Sequence, residues 1–250
     1  MKDRFFKFSI LAKFPEVIHG ISTRAYGNMS LYRGENCQAI KNREHFLSEL
    51  QIDIDEIVVP EMVHGSKIIS IGSKEQGRGA KDTNTVVKGA DGLITNEKNL
   101  FLLVTAADCF PILAYDPVLR VSAACHAGWR GIIGGIVNEL INKFRNFGSE
   151  EQNLVIGIGP GICQKHFTVK NDVLRQFLDQ YPQAVLVRNK DGYVDLKKAI
   201  LRDLKKNGVL RQNIEIAKHC PACQNGIFGS YRLEKEKAPT SAAVIGMRAV

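Results

Sequence analysis

Residues 101–131, FLLVTAADCFPILAYDPVLRVSAACHAGWRG, constrain this chain more than any other stretch. Two apolar runs, 100–105 and 118–124, read as buried strands. The first leads into Asp108-Cys109 and the second into His126, groups that bind soft or borderline metals. Residues just past strand ends can hold chemistry on a rigid scaffold facing a cleft. The small residues of AHAGWRG allow a tight turn into a helix starting near Gly131, whose N-terminus would aim N–H groups at the same place. An ordinary buried Cys and a turn His would satisfy this stretch equally.

The remaining elements follow from periodicity and punctuation. Strands are expected at 5–11 and 17–22, and a helix at 36–50. Residues 57–71 give two strand-like runs broken at His64-Gly65, followed by a polar, glycine-bearing loop over 72–89 and a strand within GADGLIT (89–95). A helix over 131–147 is weakened in its first turns by Gly134-Gly135. Then come a strand at 153–158, a helix at 171–181 and a hairpin over 184–194 turning at Lys190-Asp191-Gly192. A basic helix follows, N-capped by Asp195 and stopped by Gly208, with strands at 214–217 and near 242–247. Several strands are too close in sequence for helical crossovers, which implies α+β with mixed sheets rather than a doubly wound fold. With 250 residues the chain can bury a sizeable core, and no internal repeat or linker divides it.

No apolar run approaches the roughly 20 residues of a membrane span. The first residues have neither the continuous apolar segment nor the cleavage site of a signal peptide. Six cysteines without a dense framework read as thiols in a reducing cytoplasm. A net charge of +8 favours anionic ligands. Much of the excess, Lys197, Lys198, Arg202, Lys205 and Lys206, falls on the basic helix, opposite Leu196, Ile200, Leu201 and Leu204. A solvated helix face explains it, with nucleic-acid binding as the alternative; no aromatic residues interleave there.

His64, Cys109 and His126 are the candidate chemistry. Two imidazoles and a thiolate suit zinc with one position open, as catalytic zinc requires. They also match the equatorial ligands of a blue-copper centre. Without metal, Cys109 could be a nucleophile with His126 as its base. Gly65 lets the backbone bend so that His64 turns into a cleft. Asp108 is a candidate acid/base or a support for its neighbour. Arg24, Arg130 and Arg232 are candidate anion clamps. Cys220-Pro-Ala-Cys223 has no second CxxC to complete a structural zinc site; with His219 it could hold metal only with outside help, and it reads as a reduced, structural pair. GPGIC lacks both the P-loop lysine spacing and the dinucleotide glycine triplet.

HGISTRAYGNMS, MVHG, GADGLIT, TAADCFPIL, HAGWRG, GPGICQKHFTV and FGSYR occur in an order that resembles the YfiH-type laccase-domain family. That family is also named for multicopper polyphenol oxidases, purine nucleoside phosphorylases and peptidoglycan editing factors. The resemblance covers nearly the whole chain and implies one domain over 1–250, a four-layer α/β/β/α sandwich with mixed sheets. It implies a metal site, usually zinc, on His64, Cys109 and His126, the set already reached from residue chemistry. It also implies cleavage of purine nucleosides with phosphate, with adenosine deaminase activity in some members. Copper-dependent polyphenol oxidation is an alternative, although a laccase copper cluster demands more imidazoles than six histidines with scattered positions supply. A Cys-dependent hydrolase of peptidoglycan precursors is another. The chain departs from the family pattern at Met62, where Gln is usual, at Lys165-His166, and over SYRLEKEKAPTSAAV.

Overall fold

A computed structural model describes residues 5–189 and 191–249. Lys190, at the tip of the expected hairpin, and residues 1–4 of the segment read for export lie outside the described residues. The strands are β1 (Phe5–Phe6), β2 (Val17–Ser22), β3 (Ile57–Val58), β4 (Ile68–Ser70), β5 (Gly92–Thr95), β6 (Phe101–Ala106) and β7 (Phe110–Asp116). They continue as β8 (Val121–Ala127), β9 (Val155–Ile158), β10 (Thr168–Val169), β11 (Val185–Arg188), β12 (Asp191–Val194), β13 (Ile214–Ile216) and β14 (Ser241–Met247). The helices are α1 (Asn36–Ser48), α2 (Trp129–Ile133), α3 (Ile136–Asn146), α4 (Asn171–Gln180), α5 (Leu196–Lys206) and the single turn α6 (Tyr231–Glu234).

Two mixed sheets stack face to face. One runs β1-β2-β14-β6-β3, with β3 parallel to β6; the other runs β13-β9-β7-β8-β5-β4, with parallel pairs at both edges. A small antiparallel sheet, β10-β12-β11, stands apart from both. The layering follows from period-2 alternation. On β6, Phe101 and Leu103 pack against Phe46 and Leu47 of α1, while Leu102 and Val104 face Leu113, Tyr115 and Ala124 of the other sheet. On β7 and β8, Ile112, Ala114, Ala123 and Cys125 face Leu140, Phe144, Ile200 and Leu204 of α3 and α5. Helix, sheet, sheet and helix therefore enclose three apolar layers, the expected α/β/β/α sandwich. Full burial of each aliphatic side chain contributes roughly 1.5–3 kcal/mol before ordering costs.

Three sequence expectations change. The apolar residues 110–116, passed over between the two expected strands, form β7, a central strand of the larger sheet. Pro111 is its second residue, near a strand start where proline is tolerated. The helix over 131–147 is two helices: Gly135, at φ +83, breaks α2 from α3. Only Phe5–Phe6 of the expected first strand pairs, and Leu11–Lys13 is a 3-10 turn. The basic helix keeps its reading. Asp195 accepts from the Lys198 N–H, Leu196, Ala199, Ile200 and Leu204 are buried, and Lys198, Arg202, Lys205 and Lys206 are exposed.

Topology explains where chemistry collects. The chain passes from the smaller sheet to the larger twice nearby, between β3 and β4 and between β6 and β7. His64 lies on the first passage and Cys109 on the second. No described helix is long and apolar enough to cross a membrane.

Candidate functional site

Asp91, fully buried just before β5, is the organiser of the site. One carboxylate oxygen accepts the His64 N–H at 2.8 Å and the other accepts the Gly65 N–H at 2.7 Å. The His64 loop needs that support. Met62 and His64 both hold left-handed backbone, at φ +59 and +62, a conformation that costs a non-glycine residue about 1–2 kcal/mol. A backbone bond from the Met62 N–H to the Ala90 carbonyl at 2.8 Å fixes the other end of the bend. The same Asp91 lies 3.3 Å from His126 Nδ1, a contact that favours the hydrogen on that nitrogen and so leaves Nε2 for a ligand. His126 sits within β8 rather than past its end, and the Asp91 carbonyl accepts its N–H at 2.7 Å.

The donor atoms of His64, Cys109 and His126 all lie within 4.8 Å of one another. The two imidazole rings meet edge to face with centroids 4.8 Å apart. Burial alone would raise the Cys109 thiol, but the charge of His126 and hydrogen bonds from both imidazoles outweigh it and bring it down to about 6. Burial alone would lower His126, but the Cys109 sulfur and Asp91 outweigh it and raise the ring to about 10. Each group thus favours the charged form of the other. Cys125, next to His126 but turned into the helix-side core, shows the contrast: desolvation pushes its thiol above the ordinary range.

This constellation fits a metal ion. Its donor set is two imidazole nitrogens and a thiolate, and Gly128 supplies the room. A Cβ at Gly128 would stand 3.1 Å from Cys109 Sγ, 3.4 Å from His64 Cδ2 and 3.8 Å from His126 Cε1, filling the space between the donors. Cys109 is half-buried, His64 exposed and His126 buried, so a bound ion would face solvent on one side. That matches an open coordination position.

The three donors lie in the wall of a cavity of about 850 Å³. Trp129, Phe167, Tyr231, Ile162 and Met62 give it apolar surface, and Arg33, Arg130, Arg232 and Lys235 make it basic. Met62, one of the departures from the family pattern, takes the Thr105 N–H on its sulfur at 3.2 Å. Asp108 is held at φ +82. Its carboxylate accepts from the Ser230 hydroxyl at 2.8 and 3.1 Å and from the Arg232 N–H at 2.6 Å. Burial dominates and raises its pKa, although those hydrogen bonds and Arg232 work against the rise.

The three expected arginines go to different places. Arg24 donates to the Asn225 carbonyl at 2.7 Å and pairs with Glu234 at 2.6 Å; it braces the 225–234 segment and is not among the residues lining the cavity. Arg232 lines the cavity while its guanidinium holds the Thr168 carbonyl and hydroxyl. Arg130 lines it with its guanidinium stacked on Trp129 at 4.3 Å, and among the described residues no side chain or carbonyl accepts from it. Sequence reasoning missed Arg33. It stacks on Tyr231 at 4.9 Å and pairs through Nε with Glu236 at 3.7 Å, and its Nη1 is shielded from solvent without a hydrogen-bond partner among the described residues. It also missed Asp91, for which GADGLIT offered a motif match and no role.

A mixed α+β sandwich with a His-Cys-His constellation in a basic, aromatic-lined cavity defines the class. The chain belongs to the multi-copper polyphenol oxidoreductase laccase family, whose description matches residues 13–248. It is 31% identical over 270 residues to purine nucleoside phosphorylase SSP1584 of Staphylococcus saprophyticus, covering 98% of this chain and 100% of that one. It is 28% identical over 216 residues to adenosine deaminase RL5 of an unknown prokaryotic organism, covering 83% and 82% of the two chains. The crystal structure of YlmD from Geobacillus stearothermophilus superposes with a TM-score of 0.93 at 26% identity, covering 100% of this chain and 98% of that one.

Proposed function

We propose that this chain is a metal-dependent purine nucleoside phosphorylase. The observation that carries the reading is the convergence of His64, Cys109 and His126 in a cavity that also holds Arg33 and Arg130. Relatives named for purine nucleoside phosphorolysis and adenosine deamination support it. In phosphorolysis a phosphate oxygen forms a bond to C1′ of the ribose as the C1′–N9 bond breaks. The electron pair leaves with the base, which takes up a proton.

Each demand has residues to meet it. The aromatic and aliphatic walls, Trp129, Phe167 and Ile162, suit a flat purine. Arg130 has guanidinium donors without a hydrogen-bond partner among the described residues and is the assigned phosphate clamp; Arg33, ion-paired through Nε with Glu236 at 3.7 Å, adds positive charge beside it, and Arg232 orients the wall. Asp108 has a raised proton affinity and is assigned to hold the proton that the departing base requires. His64, Cys109 and His126 would hold the metal, preferably zinc, which supplies Lewis-acid stabilisation of developing negative charge when bound. Asp91 orients two of those ligands.

The lowered Cys109 pKa favours one rival, in which Cys109 is a nucleophile and no metal takes part. The test is a panel of adenosine and inosine with and without phosphate, on wild type and Cys109→Ser, with metal content measured on the same samples. Phosphate-dependent release of the base, lost in Cys109→Ser together with the one equivalent of metal assigned to His64, Cys109 and His126, supports the proposal. Phosphate-independent conversion of adenosine to inosine would make the chain a deaminase instead. Loss of activity in Cys109→Ser with metal unchanged, or full activity in metal-free protein, would favour the nucleophile. Several copper ions per chain would favour the oxidase.

A further inference from the structure

The CxxC at Cys220 and Cys223 finds its partners across the fold. β9 and β13 are parallel neighbours, with Ile158 opposite Ile216, and a loop leaves the same end of each. The β9 loop carries Cys163 and His166, and the β13 loop carries Cys220 and Cys223. His219, which sequence reading grouped with this pair, instead packs edge-on between Phe6 and Phe228. We propose that Cys163, His166, Cys220 and Cys223 form a second, structural metal site that binds zinc through three thiolates and one imidazole.

The four donor atoms lie within 4.8 Å of one another. Cys163 Sγ and Cys223 Sγ are 3.8 Å apart. His166 Nδ1 is 3.4 Å from Cys163 Sγ, 3.4 Å from Cys223 Sγ and 4.0 Å from Cys220 Sγ. A tetrahedron with Zn–S near 2.3 Å and Zn–N near 2.0–2.1 Å has edges of about 3.8 Å between sulfurs and about 3.5 Å between nitrogen and sulfur. The three edges among Cys163, Cys223 and His166 match those lengths, and Cys220 stands slightly farther out, 4.0 Å from His166 Nδ1. A single ring nitrogen cannot hydrogen-bond well to three sulfurs at once, whereas four donors around an ion have no such conflict.

Local structure presents the ligands in two short chelating turns, Cys-x-x-His and Cys-x-x-Cys. In the first, the Cys163 carbonyl accepts the His166 N–H at 3.0 Å; in the second, the Cys220 carbonyl accepts the Gln224 N–H at 2.9 Å. The Cys163 N–H points at Cys220 Sγ, 3.3 Å away, a contact that stabilises an anionic sulfur. Zinc with three thiolates carries one net negative charge. Lys165, Lys197 and Lys218 line the adjoining cavity together with Cys163 and Cys220, and they offset that charge. All six cysteines are free thiols.

The position gives the site a purpose independent of which reaction the cavity performs. Ile162 and Phe167, flanking Cys163 and His166, line the large cavity. The segment after Cys223 carries Ser230 and Arg232, which grip Asp108. A metal tying these loops together holds two walls of the cavity to the end of the β9–β13 pair. The departure Lys165-His166 supplies one of the four ligands.

The test is metal analysis of protein purified without added metal, in a Cys109→Ser background that isolates this site. The full chain should hold about one equivalent of zinc there, as a closed tetrahedral site does. Cys223→Ala and His166→Ala should each lose it. Cobalt replacement in the same background should give the sulfur-to-cobalt charge-transfer bands and strong visible bands of tetrahedral thiolate coordination. If a variant fails to fold, mercurial titration of the Cys109→Ser protein with a zinc-sensitive dye should show zinc released as these thiols react. Retained zinc in both variants, a cobalt spectrum without sulfur charge transfer, or a Cys220–Cys223 disulfide in freshly isolated metal-free protein would overturn the proposal. None of these outcomes depends on the nucleoside chemistry of the other site.

Discussion

Replacing Asp91 by Asn isolates the group that organises the candidate metal centre. Asn keeps the shape and one carbonyl oxygen, so only one of the His64 and Gly65 N–H groups retains its acceptor. The amide NH2 then faces the other N–H, leaving buried donors opposed. The loss is one charge-assisted bond plus an unsatisfied buried donor, roughly 2–5 kcal/mol of folding stability. The hydrogen bond that fixes the His126 tautomer weakens as well, and such changes behind a metal ligand typically cost about 10–100-fold in metal affinity. Zinc affinity would be measured by competition with a chromophoric chelator, and stability by chemical denaturation of the metal-free protein. Circular dichroism at the assay temperature would confirm that the variant is folded. A folded Asp91→Asn protein with wild-type zinc affinity and stability would refute this role.

Three further outcomes are expected. Gly128→Ala places a methyl group 3.1 Å from Cys109 Sγ, so metal content should fall by about the one equivalent held there while the protein stays folded, as elemental analysis beside a thermal melt would show. Arg130→Ala removes a guanidinium with no hydrogen-bond partner among the described residues and should raise the phosphate KM about 10–100-fold with little change in the nucleoside KM; steady-state kinetics in both substrates checks it. His19 is buried and accepts the Phe8 N–H at 2.9 Å on Nε2, and burial, with help from Lys7, lowers its pKa to about 4. The folded state thus favours neutral His19: its stabilisation is present above the unfolded value near 6.5 and is lost as pH falls from 6.5 towards 4. At pH 5 the loss is about 2 kcal/mol, and denaturation of His19→Gln at pH 7 and pH 5 should show a correspondingly shallower pH dependence than wild type.

The sequence carried more of the sandwich than of the site's wiring. The apolar runs at 100–105 and 118–124 and the break at His64-Gly65 are local signals that located the three donors, although the second strand begins at Val121, and Val118 and Leu119 are exposed. β7 escaped because only 100–105 and 118–124 were read as strands in the opening stretch, whereas pairing to β8 and β9 makes 110–116 a central strand. Asp91 was invisible because its partners lie 26 to 35 residues away and only the sheet brings them together. Arg24 sits after a strand as an anion clamp would, yet Glu234, 210 residues on, has claimed its charge. The second cluster was hidden for a similar reason. Its halves are Cys-x-x-His and Cys-x-x-Cys on separate loops, and the parallel pairing of β9 with β13 makes them neighbours.

The central claim is that metal at His64, Cys109 and His126 is needed for phosphorolysis in the cavity they line. Phosphorus NMR of the chelator-stripped protein with inosine and phosphate, before and after adding zinc, tests it most directly. The account predicts that ribose 1-phosphate forms only after zinc is restored, and not in Cys109→Ser under either condition. Equal formation in the stripped protein would contradict it, and so would none with zinc restored.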